Sequence, residues 1–257
     1  MRRVLLILIF WASHSLAQQP VLRFSVAESW SMPLIRLEQG QPVEGILFDL
    51  MQALAREAGV RPRYHLMARL RLKQAMDNGD IDVRCYVTPQ WFSERFANFV
   101  WSVPLLRQSD LLVGSPGTHR PTQADQLVQQ PVGTVLGYSY PALEGLFAQG
   151  KLHREDSRNQ LLVLQKLQAG RYRHAVSNAL SLHWFNRQQP PAGQLPALAV
   201  LEEQDLHCMV RDDPAIPTRP ILEALARMKR SGQIDRIVQR YGAPAIQPAA
   251  SRQAIDR

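Results

Sequence analysis

Along most of the chain the hydrophobic pattern switches between a strand period and a helix period. Val21 to Ala27 is a short apolar-rich run that reads as a buried strand, and a polar, turn-rich stretch from Glu38 to Glu44 leads to Gly45. Beyond it Leu50, Met51, Leu54 and Ala58 recur at helical spacing, which predicts a helix capped by Asp49 and stopped at Gly59. Arg63 to Met67 is the next predicted strand, Leu70 to Asn78 a helix ending at Gly79, and Ile81 to Val87 a third strand. This β-α-β-α-β order is that of an α/β sheet with helices on its faces. The same logic then repeats. Leu111 to Val113, Val132 to Leu136 and His174 to Ser177 read as strands. Gln123 to Gln130, Pro141 to Ala148, Asn159 to Ala169 and Ala179 to Arg187 read as helices. After an irregular segment marked by Pro190, Pro191 and Pro196, Ala197 to Leu201 and Leu206 to Val210 read as two separate strands. Helices follow from Thr218 to Lys229 and from Gln233 to Tyr241, and the Ala-, Pro- and Gln-rich segment 243–257 reads as a disordered tail.

The amino terminus changes the picture first. Arg2 and Arg3 precede the apolar run Val4 to Trp11, and Ser15-Leu16-Ala17 supplies small residues where a signal peptidase reads. The run is shorter than the roughly 20 residues needed to span a bilayer. Residues 1–17 are therefore expected to be a cleaved signal peptide, and the mature protein to be periplasmic. Residue 18 is Gln rather than Cys, so no lipidation site is expected there. Losing Arg2 and Arg3 lowers the formal charge from +8 by two, to +6. The arginines are dispersed, with no polybasic block, which reads as a solvated basic surface and not a nucleic-acid face. No metal-ligand or CxxC spacing surrounds Cys85 or Cys208, and no cofactor or metal is expected.

Five segments, in order, resemble the family 3 periplasmic solute-binding proteins, the polar-amino-acid class associated with ABC importers. Gly45-Ile46-Leu47-Phe48-Asp49-Leu50 is similar to the family's Gly-Phe-Asp-Val-Asp-Leu helix opening. Asn78-Gly79-Asp80-Ile81-Asp82 matches the entry to its third strand. Glu94-Arg95 followed by Trp101-Ser102-Val103-Pro104 resembles Glu-Arg…Phe-Ser-Asp-Pro. Val132-Gly133 with Gly137-Tyr138-Ser139, and Met209-Val210-Arg211 with Ser231 through Gly242, fit the second-lobe glycine loop and the closing elements. The resemblance implies a two-lobed periplasmic-binding-protein-like II fold, each lobe a mixed sheet flanked by helices, joined by two hinge strands. Lobe one would be 21–106 plus 206–242 and lobe two 109–201. Between them a monomer would enclose a small-molecule ligand, amino-acid-like and carboxylate-bearing, for an inner-membrane ABC permease.

The same resemblance proposes the binding residues. Arg95 takes the place of the arginine whose fork meets the ligand α-carboxylate; without the family context it would read as a surface arginine beside Glu94. Thr88 is a candidate hydroxyl donor, though the chain is one residue longer than the family between Asp82 and Arg95. Gly137, Tyr138 and Ser139 precede a helix start that can receive a negative group. Trp30 would form an aromatic wall, and Glu28 could pair with an ammonium. Asn178 stands where the family commonly has an Asp for the α-ammonium, and offers only an uncharged acceptor. Cys85 and Cys208 fall on neighbouring strands of the implied fold, open to a disulfide or to two buried thiols.

Two other readings remain open. The chain could be an orphan or sensor receptor signalling to a membrane partner. It could also be a periplasmic enzyme of the cyclohexadienyl-dehydratase kind, which shares the fold. A dehydratase needs a placed general acid, and Ser177 to Leu182 contains no acidic side chain. His65, His174, His183 and His207 lack triad or metal spacing, and Ser139 lacks a nucleophile elbow, so no catalytic residue is expected.

Overall fold

The computed structural model describes residues 19–242, apart from 93–95, 119, 121 and 128. The expected segments 1–17 and 243–257 and residue Arg95 lie outside the described residues. In chain order the elements are β1 (Val21–Ala27), β2 (Arg36–Glu38), β3 (Gln41–Glu44), α1 (Ile46–Glu57), β4 (Arg61–Met67), α2 (Leu72–Asp77), β5 (Val83–Val87), β6 (Phe99–Trp101) and β7 (Leu106–Gly114). They continue with β8 (Gln130–Val135), α3 (Pro141–Ala148), β9 (Leu152–Ser157), α4 (Gln160–Gln168), β10 (His174–Asn178), α5 (Ala179–Asn186), β11 (Ala197–Arg211), α6 (Thr218–Arg230) and α7 (Gln233–Arg240).

One strand path, β4-β1-β5-β11-β7-β10-β8-β9, runs through the molecule, with β6 added beside β11. It serves two lobes because β11 is long. Ala197 to Leu206 pairs antiparallel with β7, whereas His207 to Arg211 pairs with β5 and β6. The first sheet has β4, β1 and β5 parallel, and the second has β10, β8 and β9 parallel beside antiparallel β7. Both sheets are mixed, and β7 and β11 are the two strands that join the lobes.

Each lobe has its own core. Phe24 and Val26 of β1 pack with Leu50, Met51 and Leu54 of α1, Ile221 and Leu225 of α6, and Ile237 of α7. In the second lobe, alternation along β7 sends Leu111 and Val113 toward α4 and α5, and Leu112 toward Leu143 of α3. β5 is buried along its whole length, as a central strand covered on both faces should be.

Several elements differ from the sequence expectation. Ala197–Leu201 and Leu206–Val210 are one strand: the polar stretch Glu202 to Asp205 breaks the apolar pattern, yet its backbone continues the ladder to β7. The charged strand β9 escapes notice because, at the sheet edge, only Leu152 and Ser157 are buried. The helix expected over Gln123 to Gln130 is only a 3-10 turn at Ala124–Gln126. The helix expected from Asp49 begins at Ile46, with Gly45 as N-cap at φ +123°. A Cβ on Gly45 would lie 2.5 Å from the Leu34 carbonyl oxygen, so only glycine fits there. Asp49 instead accepts a 3.0 Å hydrogen bond from the Tyr241 hydroxyl, which itself accepts from the Gly45 N–H.

Cys85 of β5 and Cys208 of β11 are joined by a disulfide. It closes a loop with a sequence separation of 123, which holds the return strand to the first lobe. Reduction, or replacement of both cysteines by serine, is expected to cost about 2–5 kcal/mol of stability, read as a lower denaturant midpoint.

Candidate functional site

In the first lobe the parallel strands β1, β4 and β5 all deliver their carboxyl ends to the gap between the lobes, where a ligand site is expected. Ser29, Trp30 and Ser31 follow β1, Arg69 follows β4, and Tyr86 and Trp91 end β5 and its following turn. The facing wall comes from Gln108 and Asp110 on β7, the loop Tyr138-Ser139-Tyr140 after β8, Gln160 of α4, and Val176 and Asn178 of β10. The lobes touch across the cleft: the Ser29 hydroxyl donates to the Tyr138 hydroxyl at 3.1 Å.

Aromatic rings make most of the walls. Trp30 meets Tyr86 edge to face, with centroids 6.3 Å apart. Tyr86 reaches this place with φ +63°, an uncommon conformation for a bulky residue and one that concentrates at functional sites. The second-lobe loop is pinned from behind by Arg154, which donates to the carbonyls of Tyr138 at 3.0 Å and Val135 at 3.1 Å. Gly137, at φ +74°, turns the chain so that Tyr138 can face the first lobe.

Arg69 is the one basic side chain among the described lining residues. Its guanidinium carbon lies 5.7 Å from the Trp91 ring and 5.4 Å from the Tyr138 ring, one on each lobe. It has no ion-pair partner among the described residues. Burial pulls its pKa below the usual arginine value, and it stays charged. Arg84 lies behind it in β5, 4% exposed, with Met76 Sδ at 3.4 Å and the Phe92 ring at 5.1 Å as its neighbours. Burial, then the charge of Arg69, pulls its pKa down to about 9.

Asp110 is the one acidic side chain among the described lining residues. Gln108 Nε2 donates to it at 2.7 Å and Gln204 Nε2 at 3.1 Å, and it has no ion pair among the described residues. Burial, with the nearby Glu202 charge, pushes its pKa up to about 6 despite these two donors. In the ladder Asp110 stands directly opposite Asn178. The Oε1 atoms of Gln108 and Gln204 and the hydroxyls of Ser31 and Tyr86 are buried with no hydrogen-bond partner among the described residues.

The structure thus brings Trp30, Tyr138, Ser139 and Asn178 into one cleft. Gly137 supplies the turn, with Leu70 against it from the first lobe. Asn178 also caps α5, its Oδ1 accepting from the Ser181 N–H at 2.8 Å. Glu28 is exposed at the end of β1 and does not line the cleft. Thr88 is buried, its hydroxyl turned to Gln90 Oε1, and also lies off the lining. Arg69 and Asp110 were missed by the sequence reading. The available signal was weak: Gln108 and Asp110 share one face of β7, but Arg107 and Ser109 on the other face are polar as well. Among the described residues no cluster of His, Cys, Asp and Glu could hold a metal ion, and no helix is long and apolar enough to cross a membrane.

A two-lobed fold with polar and aromatic side chains gathered between the lobes is the architecture of a solute-binding protein. Residues 23–244 match the bacterial extracellular solute-binding proteins, family 3, and the chain belongs to that family. It is similar to the "Probable histidine-binding protein" of Neisseria gonorrhoeae, 24% identical over 217 residues that cover 81% of this chain and 78% of the relative. Among solved structures it resembles an ancestral arginine-binding protein bound to arginine, with TM-score 0.69, 21% identity, and coverage of 88% of this chain and 100% of that one. It also resembles the ancestral amino acid-binding protein AncCDT-1, described as a precursor of cyclohexadienyl dehydratase, with TM-score 0.68, 18% identity and coverage of 86% and 94%. At these identities the structural likenesses carry the fold.

Proposed function

We propose that this chain is a periplasmic amino-acid-binding protein whose lobes, 21–106 with 206–242 and 109–201, close around one free amino acid and deliver it to an inner-membrane ABC importer. The observation that carries this reading is a pair of charges of opposite sign in one aromatic cleft, Arg69 and Asp110, neither with an ion pair among the described residues. A zwitterion presents the matching carboxylate and ammonium, and contacts to both lobes favour the closed state. The names of the histidine- and arginine-binding relatives support the same ligand class. Export rests on residues 1–17 acting as a signal peptide, and on the family's extracellular character.

In this proposal Arg95 forks onto the α-carboxylate, with Arg69 as a second cation on the same lobe, and Trp30 and Tyr138 flank the side chain. A thermal-shift screen of amino acids, opines, small peptides and organic acids tests it. Amino acids at about 100 times Kd are expected to add about 2.7 kcal/mol, a rise of about 5–10 °C in Tm. Arg95→Ala is expected to remove most of that rise. No shift with any amino acid would contradict the reading.

A second reading has one observation in its favour. Asp110, with its pKa near 6, could protonate a departing hydroxyl as the general acid that the sequence lacked near Asn178. Turnover of prephenate or arogenate by the purified protein would establish that reading, and its absence leaves binding alone.

A further inference from the structure

We infer that Asp110, on the joining strand β7, takes the ligand's α-ammonium in place of the missing acid at position 178. The inference rests on the amino-acid reading above and names the group that would make it work. Asn178 and Asp110 are paired residues of the β10–β7 ladder, so their side chains project from the same face of the sheet at neighbouring positions. A negative charge removed from one is supplied by the other, one strand nearer the junction of the lobes.

The surroundings of Asp110 fit an ammonium and not a second anion. An ionised carboxylate accepts only, so Gln108 and Gln204 turn their Nε2 donors toward it. That orientation leaves both Oε1 atoms, each on a residue 6% exposed, without a donor among the described residues. Gln108 lines the cleft beside Asp110, and a carboxylate with an unfilled acceptor next to it calls for a group with several N–H donors. An α-ammonium carries three and cancels the buried charge. Asn178 still contributes its place in the wall while its Oδ1 caps α5.

An α-ammonium is common to all amino acids, which separates this role from recognition of a cationic side chain. Calorimetric titration of wild type with the twenty proteinogenic L-amino acids at pH 7.5 identifies those that bind. Asp110→Asn is expected to weaken every one of them, uncharged ones included, by at least about 50-fold. Adding Asn178→Asp, which keeps the cap, is expected to recover at least about tenfold of that loss. An Asp110→Asn protein that binds like wild type, a loss confined to arginine, lysine and histidine, or a double variant no better than the single one would each overturn the inference. Wild type that binds no amino acid sinks the reading beneath it instead.

If Asp110→Asn does not fold, the pH dependence of wild type decides. Protonation of Asp110 should make uncharged amino acids bind about tenfold more weakly at pH 5 than at pH 7.5, and a flat profile overturns the assignment. Glu202, opposite Asp110 in β11, is the other acid in range; because its charge helps raise Asp110, Glu202→Gln should move the profile to lower pH without flattening it. The Tyr86, Tyr138 and Tyr140 hydroxyls that face it stay protonated throughout, because burial raises all three.

Discussion

Replacing Arg69 by alanine is expected to weaken amino-acid binding by about 100-fold, close to 2.7 kcal/mol. The guanidinium is held between the rings of Trp91 and Tyr138 without an ion pair among the described residues, so its position is set before a ligand arrives. A ligand carboxylate then meets a charge already ordered and partly desolvated, at little entropic cost. Arg69→Lys should recover part of the loss, since a lysine keeps the charge but neither the fork nor the stacking. Melting of the ligand-free protein should move little, because no hydrogen bond among the described residues ends on this side chain. Calorimetry on Arg69→Ala, Arg69→Lys and wild type checks all three statements, and unchanged affinity in the alanine variant would remove Arg69 from the site.

The second large effect lies at the far end of the first lobe. Asp82 is fully buried and binds two arginines in the strands it ties together. It accepts from the Arg23 backbone N–H at 2.9 Å and from the Arg23 guanidinium at 2.6 and 2.9 Å. Arg211 of β11 adds bonds of 3.0 and 3.3 Å. Asp82→Ala leaves Arg23 partly buried without its carboxylate and Arg211 with only Asp213 among the described residues, and is expected to cost about 3–5 kcal/mol, or about 10 °C in Tm. Burial alone would raise the Asp82 pKa, but the hydrogen bonds from Arg23 and the charges of both arginines hold it below the usual carboxylate value. A depressed acid contributes stability above its unfolded pKa and loses it as pH falls through the folded one. The gap between variant and wild type should therefore be full at pH 7 and narrow below about pH 4. Amino-acid binding by the variant, measured where it is folded, should be unchanged.

These two sites also show what could be read from the sequence. The alternation of strands and helices was legible, because Val21–Ala27, α3 and the closing helices follow plain periodicities. The joining strand was not, since Glu202 to Asp205 are polar for reasons that exist only where two lobes meet. Trp30, Tyr138, Ser139 and Asn178 could be proposed because a motif or a strand end marks each. Arg69 opens an ordinary-looking helix, Ala68-Arg69-Leu70-Arg71, and its role comes from the carboxyl end of β4 pointing at the cleft. Asp110 sits in a run, Gln108-Ser109-Asp110, that looks like a polar strand entrance. Its significance depends on two long-range partners, Gln204 from β11 and Asn178 from β10. Local patterns carry elements; a site built from ladder neighbours becomes visible only when the ladder is known.

In the function proposed above, the cleft recognises a free amino acid through both of its charged ends. Calorimetric titration of wild type with the best-binding amino acid, its α-deaminated acid and its α-carboxamide tests that claim most directly. The amino acid is expected to bind in the micromolar range or tighter, and each analogue at least about 100-fold more weakly, since each leaves one buried charge of the cleft unpaired. Equal binding of either analogue, or no binding of any amino acid, would contradict it.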